Sequence, residues 1–300
     1  MMIVCSAILC VIATSLILIV MISKDNGKKL KNKKVLIIGG SSGLGLAMAR
    51  KLYSCGNEVT ITSRSKDKAQ EVVKAFPQSS ISKIEGLALD STTLDDKSIN
   101  TTASSYDFIF YCAGVAYPGY FKNQAADQFV KHMDLNFIGM IRSLYHYRRT
   151  NKKPFVFVCV ASTAGLFGFP GYSSYSPSKT ALTSFYKAAR LELLTEGIQL
   201  KVLYPAAMDT PGFQKVEQAM PSFTKDVELI VKMISPEQFA EYVLDKLLYR
   251  NSISLDWFTY FVLIRDECEK PLDYLLFPIS VVVACVSKVY AKWYFLQTRK

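Results

Sequence analysis

Short apolar runs alternate along the chain with longer stretches whose apolar residues recur at helical spacing. Lys34–Ile38 (K-V-L-I-I) is such a run, and others lie at Glu58–Thr62, Ile84–Leu89, Asp107–Tyr111, Pro154–Val160 and Gln199–Leu203. Runs of this length predict strands. The intervening stretches predict helices: one from the turn after Ile38 to about Cys55, a long one from about Asp127 to Tyr147, and one over Ser173–Thr195. A further amphipathic helix is expected over Pro236–Tyr249, with Phe239, Tyr242, Val243 and Leu247 on one side. Strands alternating with helices predict an α/β fold around a parallel sheet. Ile253–Phe258 reads as its last strand.

The two ends of the chain follow a different pattern. Ile3–Ile22 carries no charge and is long enough to cross a bilayer as a helix. The basic cluster Lys24, Lys28, Lys29, Lys31, Lys33 and Lys34 follows the run instead of preceding it, which argues for an uncleaved anchor with the body on the cytosolic side. The sequon at Asn100-Thr101-Thr102 is then expected to carry no glycan. Near the other end, Tyr274–Ser287 is apolar, interrupted by Pro278, and followed by Lys288, Lys292 and Trp293. It reads either as an interfacial or re-entrant segment or, extended to Leu296, as a second span. The expected divisions are an anchor over 1–23, a basic linker over 24–33, a catalytic domain over 34–262 and a membrane-associated segment over 263–300.

Charge and cysteine usage narrow the classes. The net charge is +11 over 300 residues, but much of it flanks the apolar ends, where lipid phosphates explain it better than nucleic acid, for which no recognition motif is present. Seven cysteines without a C-x-x-C pair read as reduced thiols. His132 and His146 are the only histidines, which argues against a zinc site or a Ser-His-Asp triad. No metal is expected.

The candidate chemistry lies in two places. After the first strand, Gly39-Gly40-Ser41-Ser42-Gly43-Leu44-Gly45 opens a helix, the entry to a Rossmann-type, doubly wound dinucleotide-binding unit whose turn cradles a pyrophosphate. After the second strand, where NAD-selective enzymes place an acid, the chain has Arg64, with Lys68 one turn on; this favours a 2′-phosphate and hence NADPH. Asp90 closes the third strand and is placed to meet the adenine. The second place is Ala161–Lys179, which ends in Tyr175-x-x-x-Lys179 with Ser162 upstream. Residues four apart share a helix face, so the Lys179 ammonium is expected to lower the Tyr175 pKa and suit the phenol to proton transfer. Ser162 would hold the same substrate oxygen.

With these motifs in order, residues 33 to 260 resemble the short-chain dehydrogenase/reductase family. The family's nucleotide fingerprint falls on Ile38–Gly45, its N-A-G element on Cys112-Ala113-Gly114, and its Asn-Ser-Tyr-Lys tetrad on Asn136, Ser162, Tyr175 and Lys179. The departures are Ile38 for the fingerprint threonine, Tyr111 for an asparagine and Ala206 for a glycine. The resemblance implies that Tyr175 and Lys179 also touch the cofactor, that Thr210 meets the nicotinamide amide, and that Asn136 fixes a water beside Lys179. It also implies dimer faces on the helices around Met133 and Ser173–Thr195. G-L-F-G-F before Tyr175 and Y-P-x-x-x-D-T-P-G-F at Tyr204–Phe213 resemble the branch that reduces a long-chain sphingoid-base ketone at the endoplasmic reticulum membrane, facing the cytosol. A steroid, retinoid or 3-ketoacyl thioester substrate, or a silent nucleotide-binding scaffold, stays open. Pro211–Lys232, apolar at Phe213, Val216, Met220 and Phe223, reads either as a lid over a lipid chain or as an ordinary packing face.

Overall fold

A computed structural model describes residues 30–94, 105–230 and 233–297. The anchor run, the lysines at 24, 28 and 29 and the sequon lie outside the described residues. The strands β1 (Lys34–Ile38), β2 (Glu58–Ser63), β3 (Lys83–Ala88), β4 (Phe108–Tyr111), β5 (Phe155–Val160), β6 (Ile198–Leu203) and β7 (Ser252–Ile253) form one seven-stranded sheet. Its order is β3-β2-β1-β4-β5-β6-β7, and every pairing is parallel. The chain winds outward from β1 to β3, then crosses to β4 on the other side of β1, which creates a switch point between β1 and β4.

Both faces of the sheet are buried, which is why its central strands read as unbroken apolar runs. Val35 and Ile37 point to one face with Val59 and Ile61; there they meet Ala47, Met48 and Leu52 of α1 (Gly43–Ser54). Phe239, Val243 and Leu247, on and just past α8 (Pro236–Lys246), complete that layer. Leu36 and Ile38 point to the other face with Ile109 and Tyr111; there they meet Met140 and Leu144 of α4 (Gly139–Thr150) and Leu182, Tyr186 and Leu193 of α5 (Tyr175–Thr195). Each fully buried Leu or Ile contributes roughly 1.5–3 kcal/mol. The helices that follow β2 and β6 along the chain are α2 (Lys66–Lys74), α6 (Pro211–Gln218) and α7 (Ser222–Ile230).

Three expectations change. The long helix expected over 127–147 is α3 (Ala126–Met133) and α4 joined by a π turn, Asp134–Ile138. Tyr111 accounts for that widening: its hydroxyl donates to the Leu135 carbonyl at 2.6 Å and pairs with Ser91 Oγ at 2.9 Å, which satisfies a carbonyl inside the turn. The last strand is only Ser252–Ile253, because the Asp256 carboxylate accepts from Thr259 N at 2.7 Å and caps a new helix, α9 (Trp257–Asp266). That helix runs across the boundary expected at 262. Beyond it, Pro278 does not interrupt the terminal segment. One helix, α10, spans Pro271–Gln297 with the proline inside it, which removes one helical hydrogen bond without stopping the helix.

Candidate active site

The carboxyl ends of β1, β4 and β5 open onto a cleft of about 1200 Å³ at the switch point, the place where open α/β sheets bind ligands. Gly39 has φ +82°, and a Cβ there would stand 2.7 Å from Ala113 N. At Gly45 a Cβ would come 2.3 Å from the Gly39 carbonyl, so only glycine lets α1 start directly on the turn. The N-cap, Ser42, makes no side-chain bond to the first turn of α1, and that turn contains no acid. Its N–H groups and positive helix end are left to an anion. Gly39, Ser41, Ser42, Gly43, Leu44 and Gly45 all line the cleft, a cradle that fits a nucleotide pyrophosphate.

Arg64 and Asp90 line the same cleft at the ends of β2 and β3. Arg64 is exposed and has no ion-pair partner among the described residues. One Asp90 oxygen is held by Thr92, at 2.9 Å from its N–H and 2.7 Å from its hydroxyl. Lys68 departs from expectation. It does not line the cleft, and its ammonium pairs with Glu71 on the next turn of α2 at 3.1 Å. Thr210 lines the cleft, but its hydroxyl also caps α6 by accepting from Phe213 N at 3.0 Å.

The structure brings the tetrad together. Ser162 leaves β5 and caps a short turn by accepting from Ala164 N at 3.2 Å; its hydroxyl also faces that of Tyr175, the first residue of α5. Lys179, one helical turn on, donates from Nζ to the Val160 carbonyl at 2.8 Å and stands 5.8 Å from the Tyr175 ring centroid. Asn136 is fully buried in the π turn and does not line the cleft. Its Oδ1 accepts from Val115 N at 2.8 Å, while Nδ2 donates to Val115 O at 3.0 Å and Ser178 Oγ at 2.9 Å. Ser178 Oγ in turn donates to the Tyr175 carbonyl at 2.7 Å. Asn136 thus ties the loop after β4 to the first turn of α5.

The electrostatics correct one expectation. Burial raises the Tyr175 phenol to about 12; the Ser162 hydroxyl acts against this, and the charge of Glu228 adds to it. Lys179 does not pull the phenol down here, because its ammonium is turned to Val160 and burial lowers its own pKa to about 8. Tyr175 is therefore a well-protonated donor. His132, not assigned a role from sequence, meets Tyr175 edge to face at 5.7 Å and accepts the Tyr117 N–H on Nε2 at 3.0 Å. Burial lowers it to about 4, which keeps the ring neutral.

The rest of the wall was less legible. Phe213 and Val216 of α6 and Val227 and Glu228 of α7 line the cleft, whereas Met220 and Phe223 of the same segment are buried in packing. From the far end of the chain, Val282, Val286, Tyr290 and Tyr294 of α10 line it too. Only tertiary packing places them there.

Against known proteins, residues 33–221 match the short chain dehydrogenase family. The chain is 32% identical to the 3-ketodihydrosphingosine reductase of Dictyostelium discoideum over 73% of each chain. It is 29% identical to the 3-dehydrosphinganine reductase of Danio rerio, over 75% of this chain and 71% of that one. Among solved structures, a 3-oxoacyl-[acyl-carrier protein] reductase with bound NAD from Brucella melitensis superposes with a TM-score of 0.61 at 18% identity. The match covers 75% of this chain and 89% of that one, and it speaks to the fold alone.

Proposed function

The chain belongs to the short-chain dehydrogenase family and is an oxidoreductase, and we propose that it reduces the C3 ketone of 3-ketodihydrosphingosine to sphinganine with NADPH. The observation that carries this is the position of the Tyr175 hydroxyl: half-buried, beside Ser162, and in the same cleft as the glycine turn. The substrate follows from the relatives' activity together with the apolar wall supplied by α6, α7 and α10.

In this reading the nicotinamide, when bound, supplies a hydride to the carbonyl carbon. Tyr175 donates its proton to the developing alkoxide, and Ser162 donates a hydrogen bond to that oxygen. Lys179, held on the Val160 carbonyl and lining the cleft, would hold the nicotinamide ribose; Asn136 ties the loop after β4 to the helix that carries Tyr175 and Lys179. The turn Ser41–Gly45 holds the pyrophosphate. Arg64, with no acid competing for it, takes the 2′-phosphate that distinguishes NADPH from NADH.

The same reading places the enzyme at the endoplasmic reticulum membrane with its catalytic body in the cytosol. It is supported by the Ile3–Ile22 run with lysines behind it and by α10, the one described helix long and apolar enough to cross a bilayer. Purified protein incubated with 3-ketodihydrosphingosine, a steroid, a retinoid and a 3-ketoacyl thioester, each with NADPH and with NADH, tests it. Turnover is expected with the first ketone and NADPH. Turnover of another ketone with none of that one refutes the substrate assignment.

A further inference from the structure

The charged side chains lining the cleft are Arg64, Asp90, Lys179, Lys215 and Glu228. The first three belong to the nucleotide end or to the tetrad. Glu228 does not. It projects from α7 into the part of the cleft walled by Phe169, Tyr172, Phe213 and Val216. The Tyr172 hydroxyl faces it, and the Tyr172 ring packs on that of Tyr175 at 5.1 Å between centroids. The carboxyl group therefore lies one aromatic ring beyond the proton donor.

Half-buried on the cleft wall, it has no counter-charge among the described residues. No lysine, arginine or histidine among the described residues pairs with it, whereas buried acids are as a rule paired. A carboxylate offers about four acceptor positions, which leaves room for an ammonium beside Tyr172. Burial pushes its pKa up, which is the cost that an incoming cation would remove.

The position is also built. Thr224 Oγ donates to the Pro170 carbonyl at 3.1 Å, and Phe223 is buried against Tyr294 and Phe295 of α10. Tyr294 donates to Asp226 at 2.8 Å. These contacts fix α7, and with it Glu228, over the cleft.

We propose that Glu228 is the specificity residue that takes a protonated amine on the carbon next to the reacting ketone. This rests on the function proposed above, whose substrate is an amino ketone. Steroid, retinoid and acyl-thioester ketones have no cation at that place, so a carboxylate with no counter-charge would favour the sphingoid base and penalise the others by its own desolvation. An ammonium on Glu228 would also cancel the negative charge that raises the Tyr175 pKa, making the phenol a stronger acid once the correct substrate is bound.

The test compares Glu228→Gln with wild type; glutamine keeps the shape and can still accept from Tyr172. Binding of a long-chain primary amine and of the alcohol of equal chain length is followed through the fluorescence of Trp257, which lines the cleft. A charge-assisted hydrogen bond sets the expectation: wild type prefers the amine by about 10-fold or more, and the variant by less than about 3-fold. The ratio of kcat/KM for the amino ketone over its des-amino analogue is expected to fall by about 10-fold or more. A variant that keeps the amine preference, a wild type that shows none, or equal loss of both ligands overturns the proposal. If wild type binds the amine preferentially but turns over neither ketone, the proposed reaction fails while the assignment of Glu228 stands.

Discussion

Replacing Asn136 by alanine separates a residue that builds the site from one that reacts in it. Its carboxamide makes three hydrogen bonds, two to the main chain of Val115 and one to Ser178 Oγ. Val115 borders the cleft, so water can reach its freed N–H and C=O, and each of those losses costs about 0.5–1.5 kcal/mol. Ser178 is fully buried and keeps only its bond to the Tyr175 carbonyl; its unpaired acceptor costs about 1 kcal/mol or more. The expected total is about 2–4 kcal/mol, read as a fall in Tm of roughly 5–15 °C by calorimetry. The kinetic effect should be disproportionate. Val115 and Tyr175 are the two ends of the tie, and a displacement of about 1 Å at a reacting group costs about 100-fold. A fall in kcat of that order is expected, with nucleotide affinity nearly unchanged because the glycine turn is not touched. Serine at position 178 changed to alanine removes one of the three bonds and should give a smaller effect of the same kind. If Asn136→Ala keeps kcat within about threefold of wild type while its Tm falls as stated, the tie serves stability alone and the reasoning is refuted.

Gly45→Ala places a Cβ against the Gly39 carbonyl, and nucleotide affinity measured by titration calorimetry is expected to fall by about 10-fold or more, with the fold retained by circular dichroism. Arg64→Ala should lower kcat/KM for NADPH relative to NADH by about 10- to 100-fold, the worth of a charge-assisted pair with a phosphate, whereas Lys68→Ala should not change the ratio, since that lysine is paired with Glu71 outside the cleft. Lys179→Met is expected to abolish reduction without loss of stability at pH 7. Burial lowers the pKa of Lys179 from the ordinary lysine value of 10.5 to about 8 in the folded state, so folding carries the full penalty below pH 8 and none above 10.5. Wild type should therefore gain about 3 kcal/mol on the variant as pH rises through that window in denaturant titrations; a difference that stays flat with pH contradicts the assignment.

The sheet could be read from sequence because strands buried on both faces leave continuous apolar runs, and the glycine turn because close backbone approach admits no side chain. The tetrad was legible for a similar reason, since Tyr175 and Lys179 are bound to one helix face by spacing alone. What could not be read depended on partners distant in sequence. Nothing local to Asp134–Ile138 announces a π turn; its cause is the hydroxyl of Tyr111 arriving from a strand. Spacing puts Lys68 one turn from Arg64, but Glu71, on its own helix, pairs with it. Spacing reports which side chains are neighbours but not where an ammonium points, and here Lys179 points to Val160 rather than to the Tyr175 hydroxyl. Glu228 has no signature at all: its meaning comes from Tyr172 and the cleft wall that tertiary packing brings to it.

The terminal helix joins these threads. At about 1.5 Å per residue, its 27 residues exceed the roughly 30 Å of a hydrocarbon core, so length alone would permit a crossing. Its contacts argue for a different arrangement. Near its start, Asp273 accepts from Tyr260 at 2.6 Å and pairs with Arg250 at 3.3 Å; near its end, Tyr294 donates to Asp226 on α7. A helix tied to the catalytic body at both ends cannot thread a bilayer without breaking those bonds and removing Val282, Val286 and Tyr290 from the cleft wall. Lying along the surface keeps them, and it turns Leu275, Phe277, Ile279, Val289, Trp293 and Leu296, all exposed, toward whatever apolar phase is present. Under the proposed membrane association, α10 would then lie in the interface with one side in lipid and the other lining the cleft, and a long-chain ketone would pass from bilayer to Tyr175 along its flank without its alkyl chain entering water.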